Sequence, residues 1–127
     1  MIQFFLVVLG RLNSGKSLNQ LSLGLVMNDD NLIWLLKWYH SQCDGDWEHG
    51  NGIQIGTIDN PGWYLRISLE ETELQERLFK KIRIDRSEHD WLRCFIEDKV
   101  FEGAGGPFNL PEVLQIFRNW AENHQRK

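Results

Sequence analysis

Leu32, Ile33, Leu35, Leu36 and Tyr39 return at helical spacing, with Trp34 and Trp38 one turn apart. Asn28, Asp29 and Asp30 ahead of them offer side-chain oxygens to the first free amides, so the pattern predicts a helix from about Asp30 to Gln42. The tryptophan stripe reads as core, the alternative being a partner-facing role for Trp38 or Tyr39. Beyond residue 52 the period changes from 3.6 to 2. Ile53, Ile55 and Thr57 alternate with Gln54 and Gly56; Asp59-Asn60-Pro61-Gly62 supplies a turn; Trp63, Leu65, Ile67 and Leu69 alternate again. That is a hairpin. Leu78–Ile84 reads as a third strand and Trp91–Glu97 as a fourth, with Asp98-Lys99 as a tight turn into a fifth at Val100–Glu102. Gly103–Pro107 then reads as a flexible loop ending the sheet. Asn109 caps a last helix with Pro111 in its first turn and Val113, Leu114, Ile116, Phe117 and Trp120 as its apolar stripe. The pattern predicts an α+β fold: an antiparallel meander sheet of about five strands, with an N-terminal and a C-terminal helix packed on its apolar face. The other face bears Arg66, Lys81, Arg83 and Arg93.

Residues 1–26 stand apart. Met1–Leu9 is apolar but lacks the positive start and small-residue cleavage site of a signal and is too short to span a bilayer. Gly10-Arg11-Leu12-Asn13-Ser14-Gly15-Lys16-Ser17 matches the phosphate-cradling pattern GxxxxGKS. Its context is wrong. Such a loop needs a helix starting at the lysine and a parallel sheet beyond it, whereas Ser17–Val26 is a weak helix interrupted by Gly24 and hairpins follow. The expectation is an N-terminal extension over 1–26, with a possible misassigned start, and a single domain over 27–127.

Charge is as uneven as hydropathy. The first 26 residues hold Arg11 and Lys16 and no acid, leaving 12 basic against 18 acidic side chains and a net charge of −6 in the remainder. An acidic body disfavours nucleic acid and anionic membrane and suits a basic partner. The two cysteines, Cys43 and Cys94, form no CxxC pair, so a reduced, cytoplasmic protein is expected.

The densest chemistry is Cys43-Asp44-Gly45-Asp46-Trp47-Glu48-His49-Gly50-Asn51-Gly52. Its three glycines argue for a loop. Asp44, Asp46 and Glu48 beside Trp47 have the make-up of an interface hot spot, an aromatic anchor among charges. The plainer reading has Trp47 plugging the core while the carboxylates cap amides. An alternative is a metal site or hydrolase built on Cys43, Asp46 and His49, joined by His89, Asp90 and Cys94. The spacing fits no zinc template and lacks the twelfth-position glutamate of a calcium loop, and the local carboxylates would weaken a Cys43–His49 nucleophile. Ser87-Glu88-His89-Asp90 holds triad residue types, but triad members converge from separate elements. No catalytic residue and no cofactor is assigned.

The run WLLKWYHSQCDGDWEHGNGIQIGTIDNPGW, with the spaced pieces EETEL, SEHDWLRC, FEGAGGPFNL and IFRNWA, resembles the immunity protein 53 family of bacterial polymorphic toxin systems, over about Leu32–Ala121. The resemblance implies a small cytoplasmic antidote, encoded beside a toxin, that binds and blocks it; a monomer or weak dimer is expected. The toxin-facing candidates are Asp44, Asp46, Trp47, Glu48, His49, Asp59 and Asn60, with the Gly103–Pro107 loop as a further surface.

Overall fold

The computed structural model describes residues 30–123. The GxxxxGKS run and the expected extension over 1–26 lie outside them. The described chain forms helix α1 (30–42), a four-residue helix α2 (Trp47–Gly50), strands β1 (Ile53–Ile58), β2 (Gly62–Ser68), β3 (Ile82–Ser87), β4 (Asp90–Glu97) and β5 (Val100–Gly105), and helix α3 (Leu110–Glu122). All strand pairs are antiparallel, but the order is β1-β2-β5-β4-β3. The meander holds within each hairpin and is broken between them. Residues 69–81 carry the chain from the middle of the sheet to its far edge, so β2 pairs with β5.

Register explains why one face is core. Across the sheet, Ile53, Ile67, Phe101 and Ile96 lie in one row, and Ile55, Leu65, Gly103, Cys94 and Ile82 in the next. Side chains alternate between faces, so these rows share one side. Leu65, Ile67, Leu92, Cys94 and Phe101 are sealed there beneath α1 and α3, with Leu35 and Trp38 of α1 and Val113 and Phe117 of α3 in the same cluster. Phe117 is the hub, its ring meeting those of Phe101, Trp38, Trp34 and Trp120 at centroid distances of 5.0, 5.5, 5.9 and 6.0 Å.

Two expectations need correction. The third strand starts at Ile82, not Leu78. Phe79 is spent on the ring edges of Phe101 and Trp120, each 5.4 Å away, and the Trp120 indole N–H donates to the Leu78 carbonyl. Residues 77–81 thereby wrap the end of α3 before the strand can begin. Gly103–Gly105 is likewise strand, not loop, and Gly103, Gly105 and Gly106 are buried. A Cβ at Gly103 would lie 2.5 Å from Val113 Cγ1, so the missing side chain is what lets α3 approach the sheet.

Asn109 sits at the N-cap of α3, but its side chain makes no cap bond. It accepts the Trp91 main-chain N–H at 3.2 Å and donates to Asp90 and Glu112, tying the β3–β4 hairpin to α3. Arg86 closes the cluster with contacts of 2.7 Å to Asp90 and 2.6 Å to Glu112, and these partners hold both carboxylates below their ordinary range: Asn109 first for Asp90, Arg86 first for Glu112. Asn109→Ala is expected to cost about 1–3 kcal/mol by leaving the Trp91 amide without its acceptor. Chemical denaturation would show this as a lower midpoint with an unchanged slope.

Candidate functional site

The loop between α1 and β1 is built by two carboxylates facing each other's backbone. Asp44 Oδ1 accepts the main-chain N–H groups of Asp46 and Trp47, each at 2.9 Å. Glu48 answers from the other side, its two oxygens accepting the amides of Asp44 at 3.0 Å and Gly45 at 2.8 Å. Gly45 turns the chain between them at φ +91°, a conformation that side chains resist. Both carboxyls titrate below their ordinary range: Asp44 through the amides of Trp47 and Asp46, Glu48 through its own amide and those of Asp44 and Gly45. Both groups therefore build the loop and charge it at once.

Trp47, the expected anchor, is only 3% exposed. Its indole N–H donates to the Glu70 carbonyl at 2.8 Å, and its ring lies 6.4 Å from that of Trp38 and 6.0 Å from that of Tyr39. Asp46 and His49 stay exposed at the surface of the loop. Asp59 and Asn60 are exposed in the β1–β2 turn, whose Asn60–Pro61 bond is cis.

The Trp47–Glu70 bond brings a second acidic stretch alongside. Glu70, Glu71, Glu73 and Glu76 are exposed on the turn after β2, while Leu74 between them is sealed in the core. Glu73 accepts the Trp38 indole N–H at 2.9 Å and the Gln42 amide at 3.0 Å, fastening this turn to the end of α1. The two acidic segments lie more than 20 residues apart in sequence and form one patch in the fold.

Cys43 donates its thiol to the Tyr39 carbonyl at 3.4 Å, while Cys94 is buried and its pKa is pushed up to about 12, chiefly by burial and secondly by the Glu112 charge. Both thiols are free. Among the described residues no group of three or more histidine, cysteine, aspartate or glutamate side chains is placed to hold a metal ion, so the alternative set of Cys43, Asp46 and His49 is not assembled. Glu88 and His89 form the β3–β4 turn, and Asp90 is taken by Arg86 and Asn109.

Hollows lie on both faces of the sheet. On the open face of the sheet, Gln54, Tyr64, Arg66, Arg93, Phe95 and Glu102 line a shallow hollow of about 430 Å³. Its charges are largely matched there: Arg66 pairs with Glu102 at 3.1 Å, and Arg83 and Arg93 with Asp85. On the covered face, α1 and β1 leave a groove of about 370 Å³ lined by Leu32, Leu36, Tyr39, Ile53 and Ile55, apolar positions that periodicity alone does not separate from the core. Among the described residues no helix is long and apolar enough to cross a membrane.

A family model described as Immunity protein 53 matches residues 32–122. No curated protein and no solved structure shows significant similarity to the chain.

Proposed function

The chain belongs to the immunity protein 53 family, and from that membership we propose that it neutralises a cognate bacterial toxin in the cytoplasm by binding it stoichiometrically, with no chemistry of its own. The observation that carries this reading is the extent of the match, which takes in α1 from Leu32 onward, the acidic loop, the whole sheet and α3. The contact surface is the outer side of the loop, Asp44, Asp46, Glu48 and His49, extended by the Glu70–Glu76 turn, while Asp59 and Asn60 form a separate candidate contact at the opposite end of β1. Trp47 acts from below by holding the loop to Glu70. A patch with this many carboxylates and no lysine or arginine between residues 43 and 52 favours a basic toxin surface and accelerates its capture.

Co-expression of the chain with the toxin encoded beside it tests the reading: a stable complex and restored growth are expected, and neither should appear with an unrelated toxin. Asp44→Asn, Asp46→Asn and Glu48→Gln together are expected to lower the association rate and flatten its dependence on salt, since rim charges act mainly on encounter. Equal association rates for the triple variant and the parent across a salt series would move the contact elsewhere.

A further inference from the structure

Resting on that reading, we propose that the groove between α1 and β1 receives an extended segment of the toxin, which joins the sheet as a sixth strand beside β1. The segment has apolar side chains at alternate positions and a lysine or arginine at its end nearest α2.

The two outer strands of the sheet are guarded differently. β3 carries Arg83, Asp85 and Arg86 and a register shift between Asp85 and Ser87, devices that discourage another strand from pairing. β1, with the sequence IQIGTI, has no charge, no proline and an unbroken register. Among the described residues its outer edge is open in a defined way. Ser68 donates its main-chain N–H to the Gly52 carbonyl at 3.0 Å, and in an antiparallel ladder such bonded pairs alternate with unbonded ones. Gln54, Gly56 and Ile58 therefore face β2, and the N–H and C=O groups of Ile53, Ile55 and Thr57 point outward.

The side chains of those same three residues lie on the face beneath α1. Ile55 is 41% exposed, and across the groove Leu36 is 54% and Tyr39 36% exposed. A strand added to β1 would set every second side chain against them and turn the others toward the open face beside Gln54. Apolar residues at alternate positions follow.

Charge selects the occupant. Tyr39 lines the groove and also rests on Trp47, while Asn51 and Gly52, which line it too, directly follow α2. The groove thus opens at that end onto the acidic loop, and among the described residues no basic side chain lines it. A cation at the corresponding end of the segment completes the match. A second copy of this chain is disfavoured: antiparallel pairing of two β1 edges would bring the acidic loop of one copy beside Asp59 of the other.

Hydrogen exchange on the full-length chain, alone and with a catalytically silenced form of the toxin domain encoded beside it, tests the proposal. The amides of Ile53, Ile55 and Thr57 are expected to exchange fast in the free chain and at least about tenfold more slowly in the complex. Leu36→Glu and Ile55→Lys should each weaken toxin binding by about tenfold or more while leaving the melting temperature of the free chain unchanged. Slow exchange in the free chain would overturn the proposal: dependence on protein concentration would mark a second copy, independence a segment from residues 1–29. A complex that forms with these amides unchanged would remove the groove and leave neutralisation standing. Absence of any complex would remove both.

Discussion

Phe117→Ala is expected to cost about 3–5 kcal/mol of folding stability, the range for truncating a fully buried aromatic side chain. Phe117 has no exposed surface and touches rings from α1, β5 and its own helix. Those neighbours cannot collapse into the space it would leave. Trp38 is held by its bond to Glu73, Trp120 by its bond to the Leu78 carbonyl, and Phe101 by pairing on both sides. The cost therefore includes a cavity as well as lost transfer energy. Small domains have total stabilities of about 5–15 kcal/mol, so the variant should melt far below the parent. Urea unfolding would show a lower midpoint with the slope kept. A loss below about 1 kcal/mol would mean that α1 and α3 can close over the gap.

Local periodicity carried most of the fold. The end of α1 at Gln42, the β1–β2 hairpin and the presence of α3 follow from spacing, and the Asp98-Lys99 turn lies where expected, both residues at positive φ. What periodicity could not supply was how the β1–β2 hairpin joins the β3–β4–β5 meander. The β2–β5 pairing joins residues far apart in sequence, and nothing in either strand names the other. Glycine was ambiguous for a different reason: it serves equally in a loop and where a helix presses on a strand. At Gly103 the pairing with Leu65 and Cys94 and the approach of Val113 decide between them, and Val113 lies ten residues away on another element.

The site was half legible. The run Asp44–Glu48 identified the loop and its charge, and the plain reading in which carboxylates cap amides describes how Asp44 and Glu48 are used. The neighbouring Glu70–Glu76 turn entered only as the EETEL piece of the family resemblance, because its place beside the loop depends on the indoles of Trp47 and Trp38. The groove had a signal that helical spacing alone underused. From Leu32 to Tyr39 only Lys37 is polar, so α1 is apolar on more sides than one core can cover. Trp34, Leu35 and Trp38 satisfy the core, and Leu32, Leu36 and Tyr39 are the surplus.

Trp47 separates the two ways an aromatic residue can serve an interface. Trp47→Ala is expected to destabilise the chain by about 3–5 kcal/mol, because a buried ring is lost along with its bond to Glu70. Trp47→Phe keeps most of the ring contact with Trp38 and Tyr39 but leaves the Glu70 carbonyl without its donor, at a cost of about 1–3 kcal/mol. At a temperature where the phenylalanine variant is fully folded, its affinity for the toxin should match that of the parent, since a side chain only 3% exposed has almost nothing to offer a partner. Direct anchoring predicts the opposite, a fall of about 2 kcal/mol or more in binding with little change in stability. Calorimetric binding and thermal melts of the same two variants therefore distinguish a tryptophan that builds the acidic loop from one that enters the toxin.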